Sequence, residues 1–562
     1  MYKNFINLSE EEKNVLLKRF WDKDPGLWTG NNVSEKDILS RLGWIDIART
    51  IKNTIPEITE FADSLKTQGI KKIVLLGMGG SSLAPLMFSR IFRTEEGFPE
   101  LVILDTTDPE VVENAVSEDE LQQVRFIFAS KSGSTVEPNV LFSYFWEKIS
   151  AISGEPGSWF IAITDPGTPL AELAEKNRFL KTFLNSPDIG GRYSALSYFG
   201  LVPAALIGAD INKLIDNAIK MMDTASASTS WNSNIAGKLI DFLSINLLRS
   251  KDKLTIMTDP EIESFALWLE QLIAESSGKE TLGFVPIVGE STGIPGYYGG
   301  ERLFVYLRLK TSSDHGRYND FIKELRDADF PVYVLELEDI YDIGSQIILW
   351  EIATVFSCYA IEVNPFDEPD VMVAKTKTGE ILEKFRETGK IPVNLWVDPQ
   401  SKMMFRPSDL LASSMKGLTR TLRDLFSILP TWGYVGFLAY LPYDDETEEI
   451  IGEMRHIVRQ EQGCATVMGY GPRYLHSTGQ VFKGGPASAG FIIITRKRKK
   501  DYPPIKGFDA SLWHIQFAQA VGDFEALQSI GRRVVHIHLP ADYKLGLKSF
   551  SKVLSRAARL MN

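Results

Sequence analysis

Four short runs hold residue types that could do chemistry together. Glu275 stands in Ala274-Glu275-Ser276-Ser277-Gly278-Lys279, at the end of the apolar stretch 266–274. A carboxylate in partly apolar surroundings has its pKa raised towards the range useful for a base. Upstream, Gly77-Met78-Gly79-Gly80-Ser81-Ser82 joins a β-branched run to a helical one. Its glycines permit close backbone approach, and the free N–H groups of a helix start favour an anion. The run Ser130-Lys131-Ser132-Gly133-Ser134-Thr135 brings four hydroxyls and a lysine to a second such junction. Capping needs one hydroxyl, whereas several, with N–H groups, can saturate the oxygens of a phosphate. In Gly190-Gly191-Arg192-Tyr193-Ser194 a glycine pair aims an arginine, whose planar, permanently charged fork suits a developing oxyanion. An anion cradle, a fixed cation and a carboxylate base together fit proton abstraction beside the carbonyl of a phosphorylated sugar. The first turn lacks G-x-G-x-x-G spacing and no Walker Lys-Ser/Thr follows, so nucleotide motifs do not fit.

Turns of this kind need a βα scaffold. Residues 1–65 read as helical, with a Pro-Gly turn inside Trp21-Asp22-Lys23-Asp24-Pro25-Gly26-Leu27-Trp28. Strand-like runs at 72–76, 101–105, 124–129 and 159–163 alternate with helical patterns, which predicts a parallel sheet covered on both faces over 66–205. The stretch 206–282 is helix-rich and reads as a connector carrying Glu275. Further strands are expected at 284–288, 303–307, 332–335, 434–440, 465–468, 490–495 and 534–538, with an apolar helix over 344–361. They form a second domain, 283–562, with a helical segment inserted at 376–433. The expected class is α/β: two domains, each a mainly parallel sheet flanked by helices, plus helical extensions.

The chain has 562 residues, which exceeds the roughly 250–300 at which single cores stop growing. Its net charge of −12 disfavours a nucleic-acid binder, so an anionic substrate must be held by a local positive site. The basic cluster Arg496-Lys497-Arg498-Lys499-Lys500 reads as a solvated strand end and loop. Two cysteines, Cys358 and Cys464, make neither a disulfide framework nor a zinc pattern, and a cytoplasmic location follows as an expectation. Met1-Tyr2-Lys3-Asn4 does not open a signal peptide, and no apolar run reaches the roughly 18 residues of a membrane span. No metal, cofactor, nucleic-acid or membrane partner is expected.

Taken in order, the runs 77–85 (GMGGSSLAP), 130–137 (SKSGSTVE), 190–194 (GGRYS), 275–279 (ESSGK) and 364–375 (NPFDEPDVMVAK) resemble the glucose-6-phosphate isomerase family, whose fold has two sugar-isomerase (SIS) domains. Residues 21–28 and 471–486 (GPRYLHSTGQVFKGGP) are most similar to the isomerase portion of transaldolase–isomerase fusions; a complete transaldolase is absent. The resemblance implies roles. Ser130, Lys131, Ser132, Ser134 and Thr135 bind the 6-phosphate, with Gly80 and Ser81 nearby. Glu275 moves the proton between C2 and C1, and Arg192 stabilises the enediolate. Lys375 and a histidine open the ring, while Gly191 and Gln480 contact substrate. The reaction implied is the reversible interconversion of glucose 6-phosphate and fructose 6-phosphate through a cis-enediol, without cofactor.

One departure concerns the histidine. The family places a His-Ser-x-Gly-Gln-like segment between the Glu275 motif and the Asn-Pro-Phe-Asp segment, where this chain has 293–302 and no histidine. His476-Ser477-Thr478-Gly479-Gln480 comes after Lys375 instead, and His315 is its rival for ring opening. His536 and His538 alternate along a strand and read as structural. Ser82 and Ala84 replace the family's more common Asp and Gly. Family members are commonly homodimers, with the histidine often from the neighbouring chain, so a homodimer is possible here. Two other functions stay open: a sugar-phosphate-binding regulatory module without turnover, and an isomerase of a related substrate such as mannose 6-phosphate.

Overall fold

The structure is a computed structural model, and it describes residues 5–29, 34–414 and 417–559. The expectation at Met1-Tyr2-Lys3-Asn4 lies outside the described residues.

Strands β1 (Lys72–Leu76), β2 (Glu100–Leu104), β3 (Val124–Ala129), β4 (Phe160–Thr164) and β5 (Lys181–Leu184) form an all-parallel sheet in the order β2-β1-β3-β4-β5. Their apolar runs are buried because helices cover both faces, including Gly80–Phe92 and Val136–Ser150. The strand order reverses between β1 and β3. The turns after these two strands are the glycine-rich and hydroxyl-rich runs, so both lie at the point where open α/β sheets hold ligands.

Strands β6 (Lys253–Thr258), β7 (Val285–Ile287), β8 (Arg302–Leu309) and β9 (Val332–Leu337) make a second parallel sheet, ordered β7-β6-β8-β9. Strands β10 (Trp396–Val397), β11 (Met404–Pro407), β12 (Tyr434–Ala439), β13 (Ala465–Tyr470), β14 (Ala489–Arg496) and β15 (Arg533–Leu539) make a third, ordered β10-β11-β15-β14-β12-β13. In it β11 pairs antiparallel with β10 and β15, and the other pairs are parallel. The stretch 206–282, expected as a helical connector, thus contributes β6, and the strands expected in one second sheet are divided between two. Lys253, Thr255 and Thr258 inside β6 broke the apolar run that would have marked it, yet all six of its residues are buried.

The N-terminal helices pack on helices Ile211–Thr224, Ile235–Leu248 and Ile343–Ala360, with Phe20 against Trp44 and Phe356. The segment Ile340–Ala360 is long and apolar enough to cross a membrane, although no such run was expected, and most of it is buried in the core.

Candidate active site

The glycine-rich turn, the hydroxyl-rich turn and the arginine turn converge on one cleft of about 530 Å3. Gly80 is required there by contact: a Cβ would lie 2.0 Å from the carbonyl oxygen of Gly191, so only glycine lets the two turns meet. Gly79, Gly80 and Ser81 line the cleft at the start of helix Gly80–Phe92, and Gly191 and Arg192 line it opposite. From the hydroxyl-rich turn Lys131, Ser132 and Thr135 face the cleft. Lys131 also bonds Asp165 and donates to the carbonyl of Pro187 at 3.0 Å. Burial raises the Asp165 carboxyl despite that lysine.

Glu275 projects from helix Phe265–Ser277, which is buried on nearly every face because it packs between the sheets. The helix stops at Gly278, where a Cβ would meet Val481 at 2.4 Å. Lys279 then turns inward to Asp367 at 2.9 Å and to the carbonyl of Asn364. Glu275 is 9% exposed, and Arg192 Nε lies 3.4 Å from its Oε2. Burial raises the Glu275 carboxyl above the usual glutamate range. Arg192 only partly opposes this, and Glu368 reinforces it. Burial works against the Arg192 cation too, but Glu275 and Glu368 together outweigh it and hold Arg192 charged. Glu368 bonds Arg192 Nη2 at 2.5 Å, and Arg192 Nη1 donates to the carbonyls of Pro365 and Asp367 at 3.3 Å.

His476 enters the same cleft from the loop after β13. Its Nε2 is 3.0 Å from Glu137 Oε1, which also accepts a 2.6 Å bond from Gln519. Burial pushes the Glu137 carboxyl up, but the charge and hydrogen bond of His476 outweigh it, so its pKa is lowered. Gln271 donates to Glu275 Oε2 at 3.1 Å and to the His476 carbonyl at 2.9 Å, tying base and histidine to one side chain. Arg473, three residues before His476, anchors this loop with bonds of 2.7 and 2.8 Å to Asp105 at the end of β2. His315 lies elsewhere, its ring bonded to the carbonyl of Leu309.

Lys375 lines the cleft mouth from the first turn of helix Met372–Thr388. Three of the residues expected to touch substrate do not line the cleft. Ser130 is buried and its Oγ accepts from the N–H of Gly133 at 3.1 Å, shaping the turn. Ser134 is exposed and pairs with Ser132 at 2.9 Å. Gln480 is fully buried, and its amide joins Gly278 at 2.9 Å to Asp370 at 2.5 Å. It fastens the Glu275 helix end to the 364–371 segment, which is a positioning task. Conversely Arg41, Asp165, Gln271 and Glu368 line the cleft without having been singled out. Glu137 and Glu368 sat inside the runs 130–137 and 364–375, where an acid beside a turn was the available signal. Among the described residues no group of three or more His, Cys, Asp or Glu is placed to hold a metal ion.

This geometry can be set beside known proteins. A glucose-6-phosphate isomerase of Prochlorococcus marinus (strain MIT 9515) is 27% identical over 373 residues, 58% of this chain and 70% of that protein. One of Mycoplasmopsis pulmonis (strain UAB CTIP) is 28% identical over 436 residues, 68% of this chain and 98% of its own length. Among solved structures, a hypothetical protein from Thermus thermophilus shares the fold with a TM-score of 0.56 at 23% identity, over 68% of this chain and 96% of that one. A glucose-6-phosphate isomerase from Chlamydia trachomatis D/UW-3/Cx does so with a TM-score of 0.53 at 19% identity, over 66% and 78%. The phosphoglucose isomerase family model matches residues 46–295, the segment that supplies Arg192, Glu275 and both phosphate-suited turns.

Proposed function

We propose that this chain reversibly isomerises D-glucose 6-phosphate and D-fructose 6-phosphate, the step of glycolysis and gluconeogenesis that interconverts an aldose and a ketose. The observation that carries the reading is the pairing of Glu275 with Arg192 at 3.4 Å, in a cleft that also holds Ser132, Thr135 and Lys131. The phosphate anchors on the hydroxyl-rich turn and the N–H groups at Gly80 and Ser81. His476, held by Glu137, moves the proton that opens the ring, with Lys375 at the mouth. Glu275 takes the C2 proton of the open aldose and returns it to C1. Arg192 balances the charge that grows on the enediolate oxygen between those transfers.

The likeness to transaldolase–isomerase fusions, carried by 21–28 and 471–486, belongs to this reading, as do a cytoplasmic enzyme, a possible homodimer and two SIS domains. Neither nucleic acid nor a membrane is a partner in it. The test is glucose 6-phosphate formation from fructose 6-phosphate by the purified chain, with mannose 6-phosphate as parallel substrate. Turnover of fructose 6-phosphate supports the reading. Folded protein that leaves fructose 6-phosphate unchanged contradicts it, and conversion of mannose 6-phosphate alone reassigns the substrate.

A further inference from the structure

The basic cluster 496–500 does not behave as one solvated run. Arg496 is buried against Asp108 and Glu110, Lys499 pairs with Glu110 and Lys500 with Glu113. Lys497 and Arg498 turn the other way, into a pocket of about 490 Å3 remote from the cleft. Lys390, in the loop after helix Met372–Thr388, faces them across it.

The lining of this pocket has two properties. Among the described residues the pocket is lined by the cations Lys390, Lys497 and Arg498 and by no carboxylate, on a protein of net charge −12. Among the described residues Arg498 has one acidic partner, the largely exposed Asp501 at 2.8 Å, and it also donates to His514 Nε2 at 3.3 Å. The rest of the wall is built of flat rings. Trp513 stacks on Phe517 at 4.9 Å, and Phe385 stacks on the His514 ring at 4.3 Å. The Trp513 indole is fixed by its bond to the Arg496 carbonyl at 3.2 Å. Burial, and then the Arg498 charge, lowers the His514 pKa, while burial and then Lys497 bring His538 to about 4. Both imidazoles are therefore neutral ring faces near pH 7, and the positive charge resides on Lys390, Lys497 and Arg498. Arg498 lies 5.7 Å from the Trp513 ring, which favours that cation, but like charges grouped at one opening repel one another unless an anion offsets them. The volume suits a small ligand.

We propose that this pocket binds a phosphorylated ligand bearing a flat aromatic ring, the chemistry of a nucleoside phosphate. The phosphates meet Lys390, Lys497 and Arg498, and the ring stacks against the Trp513, His514 and Phe385 wall. The wall helix, Leu512–Ser529, also supplies Gln519 to Glu137, so pocket and cleft share one rigid element.

The experiment is calorimetric titration of the full chain with ATP, then with inorganic tripolyphosphate, each with and without saturating fructose 6-phosphate. The proposal requires saturable ATP binding that persists with fructose 6-phosphate present. Tripolyphosphate should bind at least about tenfold more weakly, since ring stacking is lost. The double variant Lys390→Glu/Lys497→Glu should weaken ATP by about tenfold or more. Both lysines are exposed and have no ion pair among the described residues, so the reversal strands no buried group and turnover of fructose 6-phosphate should stay at the wild-type rate. The proposal is overturned if ATP does not bind, if fructose 6-phosphate displaces it, if tripolyphosphate binds equally well, or if the double variant binds ATP as wild type does.

Discussion

Glu137 Oε1 lies 3.0 Å from His476 Nε2, across 339 positions of chain. The bond joins the first sheet to the third, because Glu137 opens the helix after β3 and His476 sits on the loop after β13. A buried carboxylate bonded to an imidazole fixes the orientation of the ring.

Replacement of this partner is the first prediction. Glu137→Gln keeps the shape and the link to Gln519 but removes the charge facing His476. It should lower kcat/KM about a hundredfold, the low end for loss of acid–base function. Steady-state kinetics with fructose 6-phosphate checks this, and an unchanged kcat/KM would remove His476 from ring opening.

A second prediction concerns pH. Glu275 must be ionised to act as a base, and burial raises its pKa. The acidic limb of kcat/KM should therefore lie above the ordinary glutamate range. Glu368→Gln removes a neighbouring negative charge and leaves Arg192 freer to face Glu275. Both effects favour the Glu275 carboxylate, so the limb should move to lower pH. A pH profile of the two proteins decides it; a limb that stays or moves up contradicts the assignment.

Stability supplies a third. Asp105 is wholly buried and bonds Arg473 twice, at 2.7 and 2.8 Å. Asp105→Ala takes the carboxylate from a guanidinium that is only partly exposed and keeps its contact with the Tyr443 ring, at a cost of about 2–4 kcal/mol, somewhat below that of a fully buried pair. Denaturant unfolding should show the loss, and the loosened loop should reduce activity as well. A change under about 1 kcal/mol would mean that water replaces the carboxylate.

The cleft takes Glu275, Arg192, Lys375 and His476 from one chain. Specific activity should then stay constant on dilution through any dissociation of a dimer. Activity assays paired with sedimentation test this. A loss of rate that tracks dissociation would mean that a second chain supplies part of the site.

The sequence made some of this legible because its signals are local. The run 72–76 followed by Gly77-Met78-Gly79-Gly80 specifies a strand and a helix start, and β1 and helix Gly80–Phe92 occupy those positions. The same held for the hydroxyl-rich turn and for the apolar helix that presents Glu275. What stayed hidden depends on distant contacts. Nothing near Lys253 announces that β6 pairs with β7 and β8 in a separate sheet. Gln480 stands beside a catalytic-looking histidine, yet its amide is used up by Gly278 and Asp370. The run His476-Ser477-Thr478-Gly479-Gln480, flanked by Gly471 and Pro472, favours His476 for the site, but the polar, glycine-containing context of His315 fits a loop equally well. The anchor Arg473–Asp105 and the bonds to Glu137 and Gln271 separate them, and each spans two sheets or loops far apart in sequence.

The central claim is that Glu275 moves the proton. Its most direct test is the rate of glucose 6-phosphate formation from fructose 6-phosphate by wild type and Glu275→Gln, with fold checked by circular dichroism. The account predicts wild-type turnover and a fall of about a thousandfold or more in kcat for the variant, with KM changed far less. A variant that turns over at close to the wild-type rate would contradict it.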